Sequence, residues 1–492
     1  MPLKFGTSGV RGLVSEMTDF ECWLFTRAFV RHLRAQHPAD RIGISGDLRS
    51  STPRILRAVG LGLEDEGIET VCFGRVPTPA LCLYGLSHGI PTIMVTGSHI
   101  PEDRNGIKFN LATGEILKQD EEGILQRYGE LKERRRLPFP PFADDGLLEA
   151  ARPDLPGAVD DSAAEEYLER YFEFFPRQAL AGLRVGVYQH SGVGRDLLCS
   201  LLVGLGADVR AFGRSDSFVA VDTEAVEEPE RLASWVHEFE LDALVSTDGD
   251  ADRPLLVSDR GGIIHGDILG TLVSDYLDAD AVVLPVSCNT AIERWNRFPN
   301  VRRTRIGSPY VISGMLEAIE EGRSRIVGFE ANGGFLIASE IPAPSGGRPL
   351  RPLPTRDAAF PLLAALHMAQ RQHVRVSDLA SRLPARFTYS GLLRRFPGEI
   401  GQAIITSIRR QGPPLVQEFF GNTLGEVSNI DFTDGARITF KNDEIVHFRP
   451  SGNAPEFRCY TEADSEERAC TINLLAMEVL TSRLRPGAEQ NG

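Results

Sequence analysis

The sequence predicts an α/β protein: three similar mixed α/β domains, then a C-terminal α+β domain. Three observations carry this expectation. The 492 residues exceed what one hydrophobic core serves and point to three or four domains. Short β-rich runs alternate with amphipathic helical runs, the pattern of βαβ units and largely parallel sheets. Beyond Tyr389 the pattern changes, and 436–440 with 444–448 read as an antiparallel hairpin.

Residues 41–46 (RIGISG) form a strand ending in glycine. A helix is expected over 52–66, where Ile55, Leu56, Val59 and Leu63 recur at helical spacing. A strand over 69–74 follows. The cycle returns as strand 183–189, helix 194–205 and strand 207–212, and again at strand 281–286. A helix near 315–321 then leads to a strand at 326–329. One break is expected at the basic, proline-rich RRRLPFPP of 134–141, a second just after Pro254. A third lies in the proline-rich 342–354 or in the helical stretch after it. The expected domains are 1–145, 146–254, 255–375 and 376–492.

Lys plus Arg number 53 and Asp plus Glu 68, a net charge of −15. That surplus argues against nucleic-acid and anionic-membrane partners, which need excess cations. Hydrophobic residues at 42% with 25% charged are ordinary for a folded chain and argue against disorder. No apolar run reaches the length of a membrane helix, and the N-terminus lacks an apolar signal core. The 7 cysteines are scattered without a CxxC pair, which fits a reducing, cytoplasmic setting and opposes a cysteine-based zinc site.

Four loops carry candidate chemistry. In DGDAD at 248–252, after the mostly apolar 241–245, the carboxylates of Asp248, Asp250 and Asp252 alternate. Hard oxygen ligands on a tight loop at a strand end suit Mg²⁺, which takes carboxylates together with substrate phosphate oxygens. A solvated acidic turn is the plain alternative. An EF-hand is excluded, because its glycine and glutamate places hold Arg253 and Asp259. Arg253 beside the triplet suits an anionic substrate. In TGSHIPEDRNGIK at 96–108, Ser98 follows a strand, with His99 beside it. A serine there can accept a phosphoryl group that recruits the metal, and Lys108 can move protons or neutralise phosphate. In FRPSGNAPEFR at 448–458, Ser451, Gly452 and Asn453 offer donors in a concave loop, and Arg449 and Arg458 add bidentate donors for a dianion. In FEANGG at 329–334, Glu330 and Asn332 can hydrogen-bond vicinal sugar hydroxyls. Each of these, taken alone, also reads as an ordinary turn. The GVGR of 192–195 lacks the third glycine of a dinucleotide loop and is discounted.

In this order, the four loops resemble the α-D-phosphohexomutase superfamily. The resemblance covers nearly the whole chain, from FGTSGVRG at 5–12 through SGDLRSS at 45–51 and VPTP at 76–79 to the phosphate loop. It implies four domains around one central cleft, each donating a loop. Ser98 would be the phosphorylated serine, and with Asp248, Asp250 and Asp252 it would hold Mg²⁺. Glu330 and Asn332 would read sugar hydroxyls. Arg449, Ser451, Gly452, Asn453 and Arg458 would anchor the phosphate that is not reacting. Arg11, Lys108 and Arg253 would line the reacting end, with Lys108 or His99 as acid or base. The implied activity is that of an isomerase exchanging hexose 6-phosphate and hexose 1-phosphate, primed by a hexose 1,6-bisphosphate. Mannose phosphate is the expected substrate and glucose phosphate the alternative. A sugar phosphatase or a non-catalytic binding relative would be readings of another class. The chain departs from the family's usual loops at Gly97 and Ile100, at Phe329, Asn332 and Gly334, and at Asn453 and Ala454. Ser287 and Ser308 stand where a substrate-contacting lysine and histidine occur in a bacterial member of the family.

Overall fold

The computed structural model describes residues 3–6, 9–36, 39–134, 141–149, 157–343, 346–451 and 456–482. The first sheet holds β1 (Lys4–Phe5), β2 (Gly9–Leu13), β3 (Arg41–Gly46), β4 (Glu69–Cys72), β5 (Thr92–Val95), β6 (Arg104–Leu111) and β7 (Gly114–Glu115). The second holds β8 (Arg184–Tyr188), β9 (Asp208–Phe212), β10 (Ala243–Thr247), β11 (Pro254–Ser258) and β12 (Ile263–Ile264). The third holds β13 (Ala281–Pro285), β14 (Asn300–Thr304), β15 (Ile326–Phe329), β16 (Phe335–Ile337) and β17 (Leu353–Asp357). The fourth, wholly antiparallel, holds β18 (Phe387–Arg394), β19 (Val427–Asp431), β20 (Ala436–Phe440), β21 (Ile445–Pro450) and β22 (Glu456–Ala463).

The first three sheets share one strand order. It runs β6-β5-β3-β4 in the first, β11-β10-β8-β9 in the second and β16-β15-β13-β14 in the third. In each, two parallel neighbours flank a central strand, and an antiparallel strand returns beside its partner. Strands β10 and β13 are buried along their whole length, which is why they read as mostly apolar runs without alternation. The serine loop leaves the carboxyl end of β5, the acidic loop that of β10 and the FEANGG loop that of β15. Loops at the carboxyl ends of parallel strands, where strand order reverses, are where α/β sheets bind ligands.

Two expected domain breaks are corrected. The break after 254 falls inside the β10–β11 hairpin, since Thr247 pairs with Pro254 and Ala243 with Ser258, and β12 extends the same sheet to Ile264. The break at 375/376 also moves. The helix Val376–Ala380 buries Val376 and Leu379 in the core of the middle sheets, and the Ser377 N–H donates to Asp259 Oδ1 at 2.8 Å. The helix expected near 315–321 begins earlier and spans Ser308–Glu320. The basic linker 135–140 lies outside the described residues.

Candidate active site

The serine loop is held from below by two buried charges at the end of β3. Asp47 accepts from the hydroxyls of Thr52 and Thr96, both at 2.7 Å, and from the Gly97 N–H at 3.2 Å. Arg49 bonds Asp47 through Nε at 3.1 Å. The rest of its guanidinium donates to the carbonyls of Ser98, Ile100, Pro101 and Arg104 at 2.5–3.1 Å. One planar five-donor group thus fixes the path of the whole loop. A Cβ on Gly97 would lie 2.6 Å from the guanidinium carbon, so a larger residue there would displace the Arg49 guanidinium. The Phe218 ring covers this guanidinium at 3.8 Å. Held this way, Ser98 adopts a left-handed φ of 55° and is fully buried.

Ser98 Oγ donates to Asp248 Oδ2 at 2.5 Å, with His99 Nδ1 3.3 Å from the same oxygen. The other Asp248 oxygen accepts the N–H groups of Asp252 and Arg253 at 3.1 and 3.2 Å. Asp250 Oδ2 accepts from Lys108 Nζ at 2.6 Å and from the Thr78 hydroxyl at 2.5 Å. Asp252 Oδ2 accepts from Lys108 Nζ at 2.7 Å and from Arg356 Nη2 at 2.8 Å. The remaining oxygens of Asp250 and Asp252 are buried without a hydrogen-bond partner. One oxygen of each of the three aspartates lies within 4.8 Å of the others. Buried orphan carboxylate oxygens gathered beside a serine are the donor set of a hard dication, and these residues fit Mg²⁺. The acidic and serine loops touch through backbone, for a Cβ on Gly249 would meet the Ser98 carbonyl oxygen at 2.6 Å.

The charges around this cluster bias one another. Burial, then Asp250 and Asp252, push the Asp248 carboxyl well above its ordinary range. Burial acts the same way on Asp252, but Arg356, Lys108 and Arg253 outweigh it and hold that carboxyl low. Burial would lower the Lys108 ammonium, yet Asp250 and Asp252 keep it above its usual value. Burial, with Arg253 and Arg356, brings Arg11 on β2 down to about 10. Burial, with Arg253 and Arg11, holds the His99 imidazole well below its usual value.

Glu330 and Asn332 are both buried at the FEANGG loop. Arg356 Nη1 donates to Glu330 Oε2 at 2.9 Å, and the Thr223 hydroxyl reaches the Asn332 carbonyl at 3.1 Å. On the fourth sheet Arg449 and Arg458 stand directly opposite each other on β21 and β22. Like charges across a ladder are destabilising unless an anion or a carboxylate relieves them. Arg449 Nε bonds Asp434 Oδ2 at 3.0 Å, and the Ser451 N–H bonds the Glu456 carbonyl at 2.9 Å. Gly452 and Asn453 lie outside the described residues.

The residue pattern and geometry have counterparts. A phosphomannomutase of Salmonella muenchen is 41% identical over 484 residues, covering 98% of this chain and 96% of its own. This chain belongs to the phosphoglucomutase/phosphomannomutase family. The family's alpha/beta/alpha domain I matches residues 2–135 and its domain III residues 265–387. A phosphomannomutase of Sinorhizobium fredii is 40% identical over 489 residues, 98% of this chain and 99% of its own. The crystal structure of a phosphoglucomutase/phosphomannomutase family protein from Burkholderia thailandensis superimposes with a TM-score of 0.74 at 21% identity, covering 98% of each chain. In this member of the family, Ser98, Lys108, Asp248, Asp250, Asp252 and Arg253 converge from two sheets. Arg449 and Arg458 lie apart from them on the fourth sheet. Ser308 is buried and donates to Glu115 Oε2 at 2.7 Å, away from the cluster. Asp47, Arg49, Thr78 and Arg356 were not singled out from sequence. The first three sit in the quoted SGDLRSS and VPTP motifs, so position within a motif was the available signal; Arg356 had none.

Proposed function

We propose that the chain is a phosphomannomutase, interconverting mannose 6-phosphate and mannose 1-phosphate through a phosphoserine at Ser98 and a mannose 1,6-bisphosphate. The observation that carries this reading is the 2.5 Å bond joining the Ser98 hydroxyl to Asp248 at the head of a buried acidic triplet. The choice of mannose rests on the two long, 40–41% identical relatives. Asp248, Asp250, Asp252 and the Ser98 phosphate would hold Mg²⁺, which when bound supplies positive charge against the transferring phosphoryl group. Lys108, Arg253 and Arg11 add fixed cations at the same end, so charge developing on the phosphoryl oxygens meets preorganised partners. In the first transfer the sugar hydroxyl oxygen bonds phosphorus while the bond to Ser98 Oγ breaks. The hydroxyl proton leaves to a base, and Ser98 Oγ regains a proton. His99, 3.3 Å from that oxygen, is placed to move it. The second transfer reverses these steps with the sugar turned end for end. Arg449, Ser451, Gly452, Asn453 and Arg458 hold the idle phosphate in both orientations, while Glu330 and Asn332 read the ring. Among the described residues no helix is long and apolar enough to cross a membrane. The 7 cysteines are free, and a reducing cytoplasm is the setting we infer.

The test is direct. Purified protein carries a phosphate-sized mass increment that maps to Ser98. Ser98→Ala loses both the increment and all turnover of mannose 1-phosphate in a coupled assay primed with bisphosphate. Chelation stops turnover and Mg²⁺ restores it. Free phosphate release in place of isomerisation, or faster turnover of glucose 1-phosphate than of mannose 1-phosphate, would reject the reading.

A further inference from the structure

We infer that Arg356 is the positioning residue of the sugar-reading carboxylate, and that Gly334 is glycine in order to seat it. Arg356 lies on β17 with 2% of its surface exposed. Its guanidinium bridges two loops that belong to different sheets: Nη2 bonds Asp252 Oδ2 at 2.8 Å and Nη1 bonds Glu330 Oε2 at 2.9 Å. Nothing about burial alone favours this arrangement. A buried cation is costly, and Lys108, Arg253 and Arg11 crowd the same space with like charge. What the bridge does achieve is orientation. It engages one oxygen of Glu330 and leaves the other for substrate. With Lys108 it also occupies Oδ2 of Asp252, so that Oδ1, which has no hydrogen bond and only Arg253 Nε at 3.6 Å, is the oxygen left for a ligand.

Gly334 supplies the room. A Cβ there would lie 2.7 Å from both Cγ and Cδ of Arg356 and 2.9 Å from its Cβ, so no other residue fits while Arg356 keeps its place. A lysine at 356 could meet either carboxylate as a point charge but could not span both, since only the guanidinium is a rigid fork. The inference rests on the proposal that Glu330 reads sugar hydroxyls.

The experiment compares wild type with Arg356→Lys, Gly334→Ala, Glu330→Gln and the Arg356→Lys/Glu330→Gln double variant. Two readouts are taken: kcat and KM for mannose 1-phosphate, and amide hydrogen exchange of residues 328–337 in metal-free protein. Arg356→Lys raises KM by about 10- to 100-fold, the usual effect of removing the partner that orients a site residue, and speeds exchange in the loop. Gly334→Ala reproduces both effects although it removes no charge. In the Glu330→Gln background Arg356→Lys adds less than about twofold, because the two act as a unit. An unchanged KM in Arg356→Lys, unchanged exchange, or fully additive losses in the double variant would overturn the assignment. If Gly334→Ala does not fold, Arg356→Lys and the double variant decide alone. A wild type that isomerises no hexose phosphate would remove the functional reading, while the exchange measurement would still decide whether Arg356 holds the loop.

Discussion

Arg49 carries more of the site's geometry than any residue the sequence motifs single out. It and Asp47 are almost completely inaccessible, and burial pushes the Asp47 carboxyl upward against the opposing pull of Arg49. A buried pair of this kind adds little net stability over an apolar replacement, but removing one partner strands the other. Arg49→Met therefore leaves Asp47 uncompensated and four loop carbonyls without their donor. The expected cost is about 3–5 kcal/mol in urea denaturation, accompanied by loss of the phosphoserine. A variant that kept both stability and phosphorylation would show that the serine loop holds its shape unaided. Ser98 and the three aspartates were legible because their chemistry is local: a hydroxyl or three alternating carboxylates at a strand end announces itself. Arg49 and Thr78 were legible only as members of motifs, since the loop carbonyls and the carboxylate they reach lie 49 or more positions away. Arg356 was illegible, because its meaning exists only after β17 has been laid beside β16.

At the level of elements, ten of the 22 described strands were legible, the clearest because mostly apolar runs of four or five residues, as in β10, β13 and β15, are strands buried on both faces. The common strand order of the first three sheets was not, since pairing is non-local. For the same reason a charged loop inside a hairpin was taken for a boundary at 254. The fourth sheet makes a separate prediction. His447 on β21 is buried, its Nε2 lies 2.6 Å from the Asp434 carbonyl, and its Nδ1 has no partner. Burial pushes its pKa down to about 4, and His190 in the second domain, also buried, is lowered to about 4 as well. A histidine whose folded value lies below its unfolded one takes up protons on unfolding. Stability is then present above the unfolded pKa of about 6.5 and declines as pH falls toward 4, by at most about 3 kcal/mol for each group. Thermal unfolding followed from pH 7.5 to 4.5 should show this decline, and His447→Leu should flatten it. A midpoint that holds steady through that range would mean that the imidazole is hydrated or already paired.

The whole molecule divides unevenly. One apolar core runs from the helix Thr78–His88 through the second and third sheets, the rest of the first domain has its own between Leu3 and Phe142, and the fourth domain has one between Phe396 and Leu480. Polar contacts join it to the third domain: Arg386 to Glu462 and Asp464, both at 2.6 Å, Arg294 Nη2 to Asp443 at 3.0 Å, the Ile306 N–H to Asp434 at 3.0 Å. A joint built from hydrogen bonds and ion pairs can open without exposing a core, as interfaces between mobile domains do. Arg449 and Arg458 lie on the fourth sheet, while Ser98 and the aspartates lie at the ends of strands in the first and second. On the proposed mechanism, closure of the fourth domain would bring Arg449 and Arg458 to the reacting end and exclude water from a phosphate on Ser98. This division predicts two calorimetric transitions. Mannose 1-phosphate at 100 times its dissociation constant should stabilise the fourth-domain transition by about 2.7 kcal/mol, the linkage value for a ligand bound only by the folded form. Arg458→Ala should abolish that stabilisation and leave the main transition where it was, because Arg458 belongs to neither the larger core nor the metal cluster. A single transition that ligand moves as one unit, in wild type and variant alike, would show that the four domains are locked together and that the phosphate anchor does not travel.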